Sequence, residues 1–302
     1  MKILLVANKT YRGLPDSLLW YFFEPLGLLG HDVYLYDTVD RNIMDPNFSE
    51  VVDDFKPELI FCILSGDPSL APHEPWKEIK KITEQKNIKT FNWFCDDTWR
   101  FEKFSSQVCK HFTACSTPEP MFIDRYKSIG YNNILLGNWH ANSNWFSNVS
   151  FENKKYDIAF VGTPNSHREQ FFKESETNIE YLFGLSQAKM FESFCNMKIG
   201  VNLSVNANDP LKGTQMKQRM FEVTAGGGLL MTQYHKGIEQ FYEINKEIVT
   251  FESPIEFKEK TNYLLNNKQV LQSIAKNGYD RFIKEHDSRI RLANILEQIQ
   301  MI

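Results

Sequence analysis

The stretch Thr214-Gln215-Met216-Lys217-Gln218-Arg219-Met220-Phe221-Glu222-Val223-Thr224-Ala225-Gly226-Gly227-Gly228-Leu229-Leu230-Met231-Thr232 runs as a helix pattern, halts at three glycines and returns at once as an apolar strand. Thr214 reads as the N-cap of a helix over 215–225. A helix N-terminus offers free N–H groups and a positive dipole end, which suits a phosphate. Lys217 and Arg219 fall in the first turns, where cations oppose the macrodipole, and an anion bound nearby accounts for them. The Glu222 carboxylate could accept two hydroxyl hydrogen bonds from a ribose. Gly226-Gly227-Gly228 is equally accounted for as a C-cap and tight turn, and Glu222 as a solvated face residue.

Outward from this unit, apolar runs alternate with amphipathic stretches. Strands are expected at 156–161, 179–183, 198–203, 228–232 and 248–251, with helices at 166–174 and 186–195 and mostly helix from Pro254 onward. The first half repeats the alternation. Strands are expected at 2–8, 33–37, 59–65, 89–95, 112–115 and 133–136. Helices are expected at 16–29 behind Asp16, at 48–55 and 74–85, and at 118–129 with Pro118 at N1. The strands are continuous apolar runs, which implies parallel sheets covered on both faces. The polar, aperiodic stretch 148–155 breaks the pattern. The expected fold is therefore α/β, with two Rossmann-like lobes, 1–150 and 151–302, facing a central cleft. In each sheet ligands belong at the C-terminal strand ends.

Composition narrows the function. The 302 residues carry a net charge of −4, and no run of Lys or Arg exceeds two, so neither a nucleic-acid nor a polybasic membrane partner is expected. The five cysteines include no C-x-x-C pair and read as reduced thiols of a cytoplasmic protein. No apolar run is long enough for a transmembrane segment, and the opening apolar run is too short for a signal peptide. The G-x-G-x-x-G, P-loop, G-x-S-x-G and H-E-x-x-H patterns are all absent from the sequence. The adjacent pair Asp96-Asp97 is not a spaced D-x-D, so no essential metal is expected.

Arg219-x-Phe221-Glu222-x-x-Ala225-x-Gly227-x-Leu229-Leu230 resembles the donor-site signature of GT-B glycosyltransferases, and is most similar to the spore-maturation (CgeB-like) glycosyltransferase family. The resemblance extends over Tyr156-Asp157-Ile158-Ala159-Phe160-Val161-Gly162-Thr163 with Arg168 following. It also takes in Ile248–Phe251, Tyr263-Leu264-Leu265 and Ile274-Ala275-x-x-Gly278-Tyr279-x-Arg281. In the first half it is mainly architectural, with Trp93-Phe94-Cys95-Asp96-Asp97 the most similar local segment.

The resemblance implies a nucleotide-sugar site in the second lobe and an acceptor site in the first. Glu222 would hold the ribose. Gly162, Thr163 and Arg168 would lie near the diphosphate, Arg219 and Lys217 on the phosphates, and Phe183-Gly184-Leu185 beside the base. Gly226 and Gly227 would allow close packing where the helix ends. The donor would be a UDP-sugar foremost, with no further cofactor. The acceptor would be a carbohydrate, lipid-linked or protein hydroxyl, and the enzyme, a hexosyltransferase by expectation, a monomer or homodimer. Many retaining relatives carry a second acid eight residues before the ribose acid; Thr214 stands there, which leaves retention or inversion open.

Asp96 and Asp97 follow a strand and are candidate general bases, with helix capping the alternative. Gly13, closing the loop after the first strand, and His140 are candidate substrate contacts. The last helix, 288–302, is expected to cross back to the first lobe or to form a dimer contact. Two other functions share this frame: a nucleotide-sugar epimerase, and a catalytically silent carbohydrate-binding or scaffold protein.

Overall fold

The computed structural model describes residues 1–85, 88–147, 149–206 and 213–302, so most of the loop expected at 206–213 lies outside the described residues. The chain divides into two compact units, Met1–Asn138 with Ser288–Ile302, and Trp139–Asp287. The division falls ahead of the polar stretch at 148–155 that suggested a boundary. Trp145 and Phe146 pack on Phe191, with ring centroids 5.5 and 5.1 Å away, and so build the second unit.

In the first unit β1 (Lys2–Ala7) leads into a small hairpin, β2 (Thr10–Tyr11) and β3 (Leu14–Pro15). A π-helical turn and α1 (Glu24–Leu28) follow, then β4 (Asp32–Asp37), α2 (Phe48–Phe55), β5 (Leu59–Cys62), α3 (Trp76–Gln85) and β6 (Lys89–Trp93). A helical run holding α4 (Asp97–Arg100) and α5 (Ser106–Val108) leads to β7 (Ala114–Thr117), α6 (Ile123–Ser128) and β8 (Ile134–Leu136). The main sheet is six-stranded in the order β4-β1-β5-β6-β7-β8, and every pairing is parallel. Ile3, Leu4, Leu5 and Val6 are all fully buried, as a strand covered on both faces requires. The helix expected from Pro118 starts later, in a tight turn at Pro120–Phe122, because Glu119 precedes Pro120 and is held extended (φ −108°, ψ 109°).

The second unit repeats the plan. It runs β9 (Tyr156–Val161), α7 (Ser166–Ser175), β10 (Glu180–Leu182), α8 (Gln187–Cys195), β11 (Met197–Asn202), α9 (Arg219–Ala225), β12 (Leu229–Gln233), β13 (Val249–Phe251), α10 (Pro254–Asn266) and α11 (Lys268–Arg281). The sheet order is β10-β9-β11-β12-β13, again all parallel. The chain then closes with α12 (Ser288–Met301) in the first unit, where Lys89 Nζ donates to the carbonyls of Ile299 (3.1 Å) and Gln300 (2.7 Å).

In the second unit the winding reverses at β9, with β10 on one side and β11 on the other. Such a switch point opens a crevice at the carboxyl ends of the two central strands. The residues that enter it are therefore those just after Val161 and Asn202.

Candidate functional site

The helix before the triple glycine is shorter than its pattern. α9 begins at Arg219, and Thr214 does not cap it. Thr214 instead pairs in an antiparallel bridge with Val205, and its hydroxyl lies 2.7 Å from His235 Nδ1. Gln215 N donates to Ser204 O (2.8 Å), so residues 213–215 are tied back to the end of β11 rather than wound into a helix. Lys217 lies ahead of the helix, half-buried. Glu222, buried, sits in the first turn, where a carboxylate suits the macrodipole.

Arg219, the first residue of α9, reaches the crevice. Its Nε donates to Val161 O at 2.5 Å and its Nη1 to Asn202 Oδ1 at 3.2 Å. One guanidinium thus bridges the carboxyl ends of β9 and β11. Its plane lies over Phe160, with Cζ 4.3 Å from the ring centroid, a cation–π contact. Gly162 makes the reach possible: a Cβ there would stand 2.5 Å from Arg219 Nη2.

Arg168, from α7, joins the same ring at 5.2 Å, and its Nη1 donates to Thr163 O at 2.5 Å. The α7 N-terminus is well formed, with Asn165 Oδ1 accepting from Arg168 N at 3.0 Å. Tyr181 Oη also donates to Thr163 O (3.3 Å). Burial, and then the like charge of Arg168, pull the Arg219 pKa down to about 10, while Glu222 opposes the shift. Burial lowers Arg168 as well. Two half-buried cations bonded to neutral oxygens make an electropositive floor, which an anion would relieve.

Asn202 extends this floor, donating from Nδ2 to Thr232 Oγ1 (2.9 Å) and Ser204 Oγ (3.2 Å); Ser204 Oγ donates in turn to Gln233 O (2.8 Å). Phe160, Tyr181 and Asn202 are site residues that sequence reasoning missed. For Asn202 a signal existed, since it is the one polar side chain within the apolar run 199–203. Phe183, after β10, is exposed, and Gly184 has a positive φ of 65°.

The structure places other expected residues away from this floor. Gly226 and Gly227 lie at the far end of α9; a Cβ on Gly226 would stand 2.4 Å from Phe194 O, and one on Gly227 2.6 Å from Val149 Cγ1. Their role there is close packing. His140 is fully buried, and its carbonyl accepts from Gln218 Nε2 (3.0 Å) just before α9.

In the first unit Gly13 is the second central residue of the β2–β3 turn, where Arg12 (φ 52°) and Gly13 (φ 76°) both need a positive φ. Asp97 is buried and accepts from Tyr126 Oη at 2.9 Å, with Ser105 and Thr117 also bonded. Burial lifts its pKa to about 6 against those hydrogen bonds. Asp96, half-buried at the N-cap of α4, makes no side-chain cap bond. Among the described residues no group of three His, Cys, Asp or Glu is placed to hold a metal ion, and no helix is long and apolar enough to cross a membrane.

A sequence profile described as glycosyl transferase-like matches residues 143–297, more than half of the chain. The chain belongs to the glycosyl transferase-like family. No curated protein sequence matches it. Among solved structures, sucrose-phosphate synthase from Thermosynechococcus elongatus superposes with a TM-score of 0.67 over 100% of both chains at 9% identity. A glycosyltransferase from Rickettsia africae gives 0.66 over 99% of this chain and 98% of its own at 10% identity. HepE from Anabaena, in complex with UDP-glucose, gives 0.66 over 100% of both chains at 10% identity. The fold is thus that of the GT-B enzymes, and with the family it makes the chain a glycosyltransferase.

Proposed function

We propose that the enzyme moves a sugar from a UDP-sugar, held on the second unit, to an acceptor hydroxyl presented by the first. The bridge of Arg219 across the ends of β9 and β11, with Arg168 on the same aromatic ring, carries this reading. It supplies fixed positive charge where a diphosphate leaves, and such preorganised charge lowers the barrier to departure. HepE, solved with UDP and with UDP-glucose, supports uridine as the base.

Glu222 takes the ribose hydroxyls, and Phe183-Gly184-Leu185 flank the base. Gly162 and Thr163 bring their backbone to the diphosphate, with Lys217 as a further cation. Asp96, rather than the buried Asp97, is the general base. Positive side chains do the work of a divalent ion, so transfer is metal-independent. The transferred group is a hexose, the acceptor a carbohydrate, lipid-linked or protein hydroxyl, and the enzyme a monomer or homodimer. The five free cysteines fit a reducing cytoplasm. The motifs over 156–281 support kinship with the spore-maturation glycosyltransferases.

The test is UDP release from a panel of UDP-sugars, with and without a broad acceptor panel. Release that needs an acceptor and is lost in Arg219→Ala is expected. Tight UDP binding with no release from any donor contradicts transfer and leaves a silent binding protein.

A further inference from the structure

α9 carries Arg219 and Glu222 yet is only 7 residues long, and its N-cap, Gln218, makes no side-chain cap bond. So short a helix is marginal by itself and takes its place from tertiary ties. One of those ties comes from β9 and another from the segment leading into it. At the start of α9, Arg219 bonds the carbonyl of Val161, the last residue of β9. At its end, the carbonyl of Gly226 accepts from Lys154 Nζ at 2.9 Å. Lys154 stands just ahead of Tyr156, the first residue of β9.

The same ammonium donates to Cys195 O, the last residue of α8, at 2.7 Å. Gly226 lets the two helix ends close up, since a Cβ there would meet Phe194 O at 2.4 Å. Two negative helix ends therefore converge, a repulsive arrangement that one cation between them offsets. Lys154 is 8% exposed, and burial pulls its pKa down to about 8. A buried ammonium held only by neutral carbonyls is costly to keep, and its geometry is correspondingly specific.

We propose that Lys154 is a positioning residue of the donor site, fixing α9 along β9 so that Arg219 meets the diphosphate and Glu222 the ribose of one nucleotide together. This rests on the donor-site reading above. With Lys154 neutral the amine keeps two N–H donors but loses the charge that offsets the two helix ends, so their repulsion shifts the Gly226 end of α9 while Arg219 holds the other. Glu222, one turn along, then leaves its register with Arg219.

Calorimetric titration with UDP decides it, on Lys154→Met and Arg219→Ala in parallel, each checked as folded by circular dichroism. A UDP dissociation constant raised about 10-fold or more in Lys154→Met, with the far-ultraviolet spectrum unchanged, is expected. Wild-type affinity in Lys154→Met, with affinity lost in Arg219→Ala, overturns the positioning role alone. Wild-type affinity in Arg219→Ala overturns the donor-site reading and this inference with it.

A pH series separates positioning from stability. The groups near Lys154 are the Cys195 thiol of α8, pushed up by burial, and Glu152, Asp157, Lys198 and Lys268 around the adjoining pocket. Wild-type affinity for UDP should weaken several-fold from about pH 7 to about pH 9 as the ammonium discharges, and stay flat in Lys154→Met. Should Lys154→Met fail to fold, a flat wild-type series over that range overturns the proposal.

Discussion

The guanidinium of Arg219 donates to the carbonyl of Val161 at 2.5 Å, tying the first residue of α9 to the last residue of β9. A second bond, to Asn202 at the end of β11, makes the side chain a brace across the switch point of the sheet. On the proposed function, charge placed there by packing would need no reorganisation when a diphosphate leaves, and that would be the source of its catalytic value.

Arg219→Ala should therefore cut turnover by about 10²-fold or more. It also loses two hydrogen bonds and a cation–π contact, but removes a cation that is costly to bury, so the folding loss should stay within about 1–2 kcal/mol. Steady-state kinetics and urea unfolding on the same preparation check both. Normal turnover with a clearly lowered urea midpoint would reverse the assignment, making Arg219 a structural brace.

Gly162→Ala should reproduce much of that phenotype from the other side. The new methyl would stand 2.5 Å from Arg219 Nη2 and 3.1 Å from Phe160 Cε1, so the guanidinium has to shift. A UDP dissociation constant raised about 10-fold is the expected result in calorimetry, together with a lowered melting temperature, because φ 157° at this position strains any residue but glycine.

Gly226→Ala should act on the fold. Its Cβ would strike the Phe194 carbonyl at 2.4 Å, a backbone atom that cannot rotate away. Overpacking of this kind costs about 1–3 kcal/mol, and urea unfolding should show it as a lower midpoint.

Asp97 predicts a pH dependence whose sign is opposite to that of a paired surface carboxylate. Burial raises its folded-state pKa from 3.8 to about 6. Between those values the folded chain keeps a proton that the unfolded chain has lost. Its contribution is fully present below the lower value and disappears as pH rises through about 6, a loss of about 3 kcal/mol. In Asp97→Asn this decline should be absent from melting curves between about pH 4 and about pH 7, and transfer should persist. Loss of transfer in a stable Asp97→Asn protein would return the general base to Asp97.

Much of the fold was legible because buried parallel strands are continuous apolar runs. Phe48–Phe55 and Tyr156–Val161 fall where periodicity and composition put them. The helix before the triple glycine was over-read, since Thr214 spends its backbone on Val205 and its hydroxyl on His235, partners that no local pattern reveals. Arg219 could be found as a cation at an awkward helix position, but its partners Phe160 and Asn202 are distant in sequence and silent in any window. Asp97 was visible as a residue and invisible as a buried one, because its burial depends on Tyr126 and Ser105. Lys154 lies in a stretch with no period at all, and only the convergence of two helix ends gives it meaning.

The most direct measurement is thermal unfolding of the wild-type protein with UDP, GDP, CDP, ADP and TDP, each with and without EDTA. A bound diphosphate at about 100 times its dissociation constant should add about 2.7 kcal/mol of stability. We expect UDP to raise the melting temperature, EDTA to leave the shift intact, and Glu222→Ala to abolish it. No shift with any diphosphate, in a protein that unfolds cooperatively, would contradict a nucleotide site at the β9–β11 switch point.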